Sequence, residues 1–347
     1  MALVTGPRRR SGALLRCAVL CCASLVARGD DVRLIRTTWG AAGFDDASNW
    51  AAWFSDLAQL KVRSAGAGAT RYSGIEAPTW VVCGVSTYSD FGCGGHACNE
   101  TRSKLFRSAL ESSGLEYVAQ VHTCGYPIAS AAVEEHTSSL KALVAIAQDL
   151  GASLANVHGG VDSWGNEERS KFFDAADDVE NDSGLPLAHE THRMRALSTP
   201  WATRDALAAF PKLKLTADLS HWVIVAERAF DFPADAAWWP PLLESVSSAA
   251  VLTHVRVGSP REIQVADPAA PECRALLERY ESWWNVIWAR QKQLGRPVYI
   301  EAEFGPTPYM PALPHTRQPV GDLDAAVEFI GHRQVGRVLA GECAPAQ

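Results

Sequence analysis

The chain has 347 residues, with 32 basic against 39 acidic side chains and a formal charge of −7. Apolar residues make up 47% and charged residues 20%, a globular balance that excludes a disordered tail or a fibre. No uninterrupted apolar run approaches the roughly 20 residues a membrane span needs. The acidic balance speaks against nucleic acid as a partner, because phosphate binding is driven by Lys and Arg releasing counterions.

The first thirty residues stand apart. No acidic residue precedes Asp30, and Arg8, Arg9, Arg10 and Arg16 lead into an apolar run from Cys17 to Ala27. A basic start, a short apolar stretch and small residues near Ala27 read as a secretory signal peptide over residues 1–29. The Arg-rich, acid-free composition leaves an organellar transit peptide as the alternative. Without residues 1–29 the balance becomes 27 basic against 39 acidic residues, or −12. The expected location is therefore the secretory pathway, or an organelle on the transit-peptide reading.

From residue 30 to 340 short β-branched runs alternate with amphipathic stretches. The first strand is expected over Val32–Thr37, followed by a helix over Ser48–Leu60 with Asp46 placed to cap it. Tyr72–Glu76 is the second strand, and a long Gly- and Cys-rich loop follows before a helix near Lys104–Ser112. That loop reads Cys93-Gly94-Gly95-His96-Ala97-Cys98. A zinc site needs a second pair at matching spacing, and none follows, so a surface loop is expected, with a Cys93–Cys98 disulfide if the chain is secreted. Asn99-Glu100-Thr101 and Asn181-Asp182-Ser183 are glycosylation triplets.

Glu116–Val121 is the third strand, with a long helix over Ser130–Leu150, and Ser153–His158 is the fourth, with a helix near Glu167–Val179. Leu185–Glu190 is the fifth, with a helix near Ala202–Phe210, and Lys212–Asp218 is the sixth, with a helix around Ala236–Ser247. Ala250–Val255 is the seventh, with the helix Glu272–Leu294, and Pro297–Glu303 is the eighth, with a last helix over Leu323–Val338. Parallel strands joined by crossover helices need helices over both faces or around a ring. Eight units in about 310 residues fit a single (β/α)8 TIM barrel. No Gly-x-Gly-x-x-Gly follows the first strand, which removes the usual dinucleotide signal. The stripe Leu276, Leu277, Tyr280, Trp283, Trp284, Ile287 and Trp288 reads as core, and the Trp-rich helices also offer a face for a homo-oligomer.

Reacting groups of such a barrel sit at the C-terminal ends of its strands. Those ends carry His122, His158, Glu190, Asp218 with His221, His254, and Glu301 with Glu303. Six consecutive strands that end in imidazole or carboxylate point to a divalent metal, because these are the side chains that hold one. Alternation places His189 on the face opposite Glu190. In Asp218-x-x-His221 the Asp stands at a strand end and the His is expected to reach in from a loop. His254 and Arg256 share a face, as do Glu301 and Glu303, with Glu303 nearer the mouth. Glu76 reads as a helix cap or a substrate contact, and Trp39 as a sugar-stacking ring or a packing residue.

The set Glu190, Asp218-x-x-His221, His254 and Glu303, with Arg256-Val257-Gly258 and Glu303-Phe304-Gly305-Pro306, resembles the xylose isomerase-like TIM-barrel superfamily, the sugar phosphate isomerases and epimerases. The likeness spans about residues 32–335 and is closest to a little-characterised branch. It implies one divalent metal, Mn²⁺ or Mg²⁺ with Zn²⁺ or Co²⁺ as alternatives, held by Glu190, Asp218, His254 and Glu303. It implies a small sugar or polyol substrate whose oxygens meet His158, His221, Arg256 and His122. Glu190 and Glu303 would then exchange a carbon-bound proton through an ene-diolate, giving epimerisation or aldose–ketose isomerisation. Arg261 stands one position off the place of a further family arginine. A dehydratase or lyase on the same barrel, and a sugar-binding barrel without turnover, are the alternatives. So is an endonuclease IV-like zinc phosphodiesterase: His122, His158 and Asp267 suit it, but Asp267-Pro268-Ala269 lacks the His that a third zinc needs.

Overall fold

The computed structural model describes residues 31–64, 67–85 and 92–343, so the leader lies outside the described residues. In chain order the first elements are β1 (Val32–Thr37), α1 (Trp50–Gln59), β2 (Lys61–Ser64), β3 (Ala67–Pro78), α2 (Thr79–Cys83) and α3 (Glu100–Ser113). There follow β4 (Glu116–His122), α4 (Val133–Asp149), β5 (Leu154–His158), α5 (Asn166–Ser183), β6 (Leu187–Glu190) and α6 (Pro200–Ala209). The last are β7 (Lys214–Ala217), α7 (Leu219–Ala226), α8 (Trp239–Ala249), β8 (Ala250–His254), α9 (Arg274–Gln293), β9 (Val298–Glu301) and α10 (Leu323–Leu339).

Eight of the strands pair in parallel, and β1 bonds to both β3 and β9, which closes the ring into a single (β/α)8 TIM barrel. The extra strand β2 runs antiparallel to β3 and prolongs it outside the barrel. Lys61–Ser64 is four residues long and mostly polar, too short to announce a strand by alternation. Among the described residues no helix is long and apolar enough to cross a membrane.

Strand alternation sorts the barrel interior into layers. Ile35, Val118, Leu154, Ala188 and Leu252 form a small apolar plug. Two residues further along each strand the inward positions turn polar: Gln120 after Val118, Asn156 after Leu154, Glu190 after Ala188, His254 after Leu252 and Glu301 after Tyr299. Glu76 joins them from β3, and all six are buried. A further two residues bring His122, His158, Arg256 and Glu303. The larger core lies outside the ring, where Trp284, Trp288, Ile287 and Tyr280 of α9 pack inward, as the stripe predicts.

Three strands are shorter than the sequence suggests by two residues or more. Pro186 and Pro297 have no amide hydrogen to extend β6 and β9 backwards. Asp218 leaves β7 to cap α7, and its carboxylate accepts from the Ser220 amide at 3.0 Å. α7 is, with β2 and α2, an element the sequence reading missed, so His221 sits on a first helical turn and not on a loop. Asp46 does cap the segment before α1, accepting from Ser48 at 2.9 Å. The Cys93–Cys98 pairing is corrected: Cys83 at the end of α2 bonds to Cys98, and Cys93 bonds to Cys124. Cys98 lies next to α2 because the Asn99 amide, which begins the turn into α3, donates to the Cys83 carbonyl at 3.1 Å.

At the N-terminal end of the barrel Glu116 accepts from Arg33 at 2.5 Å and from the Tyr299 hydroxyl at 2.8 Å, joining β4 to β1 and β9. Glu116→Gln is expected to lower the stability by about 1 kcal/mol in urea unfolding, since the site is partly solvated.

Candidate metal centre

Adjacent strands in register carry their inward side chains side by side. His122 pairs with His158 across β4 and β5, and their rings stack with centroids 4.1 Å apart. His254 pairs with Glu301 across β8 and β9. The row of imidazoles continues from His158 to His192 at 4.8 Å and from His192 to His221 at 3.9 Å.

Glu190, Asp218, His254 and Glu303 each offer one ligand atom, and these atoms all lie within 4.8 Å of one another. His254 Nδ1 is 3.0 Å from Glu303 Oε2 and 3.8 Å from Asp218 Oδ2. Glu190 Oε1, His254 Nδ1 and Glu303 Oε2 are buried and lack an aligned hydrogen-bond partner. Asp218 Oδ2 meets the Arg256 guanidinium. Buried polar atoms left without partners are costly, and three of them around one point is what a divalent cation would satisfy. Three carboxylates and one imidazole form a mainly oxygen donor set, so the residues fit a hard or borderline divalent ion.

Below this group lies a further buried pair. Glu76 Oε2 and Glu301 Oε2 are 3.4 and 3.6 Å from His254 Nε2. Glu76 caps no helix: it stands inside the ring, 1% exposed. Gln120 Nε2 donates to Glu76 Oε1 and, at 3.2 Å, to Glu303 Oε1. Asn156 Nδ2 donates to Glu76 Oε1 at 3.2 Å and to Glu190 Oε2 at 2.8 Å.

Charge follows from burial and neighbours. Burial opposes a charge on His254, but Glu303 and Glu76 beside it outweigh that and hold its pKa well above the usual imidazole value. Burial also resists ionisation of Glu190, yet His158 at 2.6 Å, with His254 near, keeps its carboxyl well below the ordinary range. Asp218 is likewise resisted by burial and lowered by Arg256. Burial raises the pKa of Glu303, and burial together with Glu76 raises that of Glu301 further. His122 and His221 are pushed well down by burial, and His192 to about 3, so these rings are neutral.

A cavity of about 430 Å³ opens above the cluster, lined by Trp39, Trp80, Tyr126, Tyr309, His122 and His158 on its walls and by Arg256 and Glu303 at its floor. Glu303 is the member of the four that reaches this lining; Glu190, Asp218 and His254 lie beneath it. His221 is buried too, with Nε2 2.9 Å from Arg256 and 3.7 Å from Glu190. Gly305 lets the Trp39 ring lie directly on its backbone, where a Cβ would collide, and its amide and carbonyl are both held by Gln264 at 2.9 Å.

Other expected residues stand elsewhere. His189 points outward, its ring edge-on to Phe173 at 5.1 Å, in a separate 280 Å³ cavity beside α5. Arg261 is exposed in the turn Ser259–Glu262. Asp267 is exposed and accepts from the Ala269 amide at 2.8 Å, so it joins no cluster of metal-competent groups among the described residues. Gln120, Asn156 and His192 were not singled out from the sequence, although Gln120 and Asn156 each stand two residues before a strand-end His in an apolar run.

The xylose isomerase-like TIM barrel model matches residues 72–264, more than half of the chain, and the chain belongs to that family. It is similar in fold to a xylose isomerase-like TIM barrel protein from Mycobacterium smegmatis in complex with magnesium, at 14% identity over 91% of this chain and 99% of that chain, TM-score 0.52. A D-allulose 3-epimerase from Methylomonas sp. in complex with D-allulose matches at 14% identity over 87% and 97%, TM-score 0.49. The probable 3-DHS dehydratase AsbF from Bacillus anthracis matches at 11% identity over 88% and 98%, TM-score 0.48. No curated protein matches the chain.

Because His254 holds a proton until the pH passes its raised pKa, a divalent cation must displace that proton to reach Nδ1. Affinity for Mn²⁺ is therefore expected to rise steadily from about pH 6 to about pH 8, with proton uptake by the buffer on binding. Calorimetry in two buffers of different ionisation enthalpy checks this.

Proposed function

We propose that the chain is a divalent-metal-dependent isomerase or epimerase of a small sugar or polyol. The observation that supports this is the convergence of Glu190, Asp218, His254 and Glu303 beneath a cavity sized for a small ligand, with Glu303 on the cavity floor. These four residues would hold the cation, which would supply Lewis-acid stabilisation of the negative charge that develops on the substrate, worth several kcal/mol.

Glu303 takes the carbon-bound proton. Its raised carboxyl lies nearer to neutral pH, where a general base is most effective. Arg256, 3.2 Å from Glu303 Oε2, supports the negative charge that develops beside it. The proton returned on the other side would reach the ionised Glu190 from solvent by way of His158, which is bonded to it at 2.6 Å and lines the cavity. His122 and His158 hold substrate hydroxyls together with Arg256, whereas His221, expected to join them, is enclosed beneath the cavity and meets the Arg256 guanidinium at 2.9 Å instead. The rings of Trp39, Trp80, Tyr126 and Tyr309 offer apolar faces to the C–H side of a sugar.

One observation favours a second reading. Only one of the two glutamates reaches the cavity lining, and dehydration needs a single base there. A ketose and aldose panel in deuterated water, run on protein of known metal content, separates the two. Isomerase or epimerase chemistry is expected to show one metal per chain and deuterium at the carbon next to the carbonyl. Glu190→Gln and Glu303→Gln should each slow exchange by about 10²–10⁴-fold. Loss of water with Glu190→Gln still active would favour the dehydratase.

The two disulfides, both within residues 83–124, suit an oxidising compartment and support the secretory reading of residues 1–29. Edman sequencing of protein from the native host is expected to start near Arg28–Asp30; a start at Met1 would refute the leader.

A further inference from the structure

The metal ligands come from four different strand ends, and their neighbours determine whether they meet at one point. Glu76 faces one of the four directly and is linked to two more through side-chain amides. It faces His254 Nε2 directly at 3.4 Å, the nitrogen on the far side of the ring from the ligand atom Nδ1. Through Asn156, which donates to both carboxylates, it is tied to Glu190. Through Gln120, which also donates to both, it is tied to Glu303. Glu76 is fully enclosed, and its Oε2 is left with no aligned hydrogen-bond partner other than what His254 and Glu301 can offer.

From this geometry we infer that Glu76 is the positioning residue of the metal centre: it fixes the His254 ring through Nε2–H and, through the two amides, sets the Glu190 and Glu303 carboxylates. The inference rests on the metal-centre reading proposed above. Its chemistry is general. A ligating imidazole is oriented by the acceptor on its other nitrogen, which selects the tautomer and makes the ligand nitrogen more basic. A carboxylate held by an amide keeps one oxygen turned away and presents the other. Asn156 occupies Glu190 Oε2 and Gln120 meets Glu303 Oε1, which leaves Glu190 Oε1 and Glu303 Oε2 for the cation. The oxygens that the amides leave alone are the ones without an aligned hydrogen bond.

The test is Mn²⁺ titration of the full chain, read by calorimetry and by the Mn²⁺ electron paramagnetic resonance spectrum, with urea unfolding of the metal-free protein alongside. Glu76→Gln keeps the volume and can still accept from Gln120 and Asn156, but it puts an N–H or a neutral oxygen opposite His254. It is expected to weaken Mn²⁺ binding about 10–100-fold and to alter the spectrum. Glu76→Ala, which also drops both amide ties, should be weaker still; if it does not fold, Glu76→Gln decides alone. Glu116→Gln, at the other end of the barrel, should shift unfolding and leave Mn²⁺ affinity unchanged. Wild-type affinity in Glu76→Gln overturns the inference while the metal centre stands. A wild-type chain that takes up no Mn²⁺ overturns the metal centre, and this inference with it. Two Mn²⁺ per wild-type chain, falling to one in Glu76→Gln, would make Glu76 a ligand and overturn the positioning role.

Discussion

Five carboxyl groups, Glu76, Glu190, Asp218, Glu301 and Glu303, meet in the closed upper half of the barrel, none more than 4% exposed. Charges taken out of water are costly unless paired. Here they are offset only in part, by the Arg256 guanidinium and by the His254 imidazole, whose pKa the carboxylates hold well above its usual value. The excess of negative charge surrounds three ligand atoms without aligned hydrogen-bond partners. A chain that only needed stability would do better with apolar residues at these positions, since replacing a buried ionic network by well-packed side chains is often neutral or favourable.

The barrel was readable because each of its eight strands is short, β-branched and followed by an amphipathic stretch. The strand ends were readable because imidazoles and carboxylates recur there at intervals that no surface pattern explains. Asp218 and His221 show where this reading failed. An Asp that closes a strand and a His three residues later look like a strand end and a loop, but the Asp caps a helix and the His rides its first turn. The four-residue β2 and the five-residue α2 are too short to leave a periodic signal. The disulfides could not be paired from spacing, because Cys83 and Cys124 lie on either side of the loop and come close only when β3 and β4 pair.

Glu76 was misread for a related reason. A carboxylate at a strand end ordinarily caps the next helix, and β3 continues for two residues beyond it. Its inward direction follows from register with β4, where Glu76 pairs with Val118 next to the apolar plug. Gln120 and Asn156 follow the same logic. Each is one layer below a histidine, and a neutral amide in an apolar run carries no signal of its own until the carboxylates it joins are known.

The cavity and its floor have different origins in the chain. Trp39, Trp80, Tyr126 and Tyr309 come from segments beyond the strands, whereas Glu190, Asp218 and His254 are set by strand ends and by the amides below them. Exchange of a rim aromatic therefore reshapes the cavity and leaves the four clustered side chains beneath it in place. In this architecture the shape of the opening and the chemistry of its floor can change independently, one loop at a time.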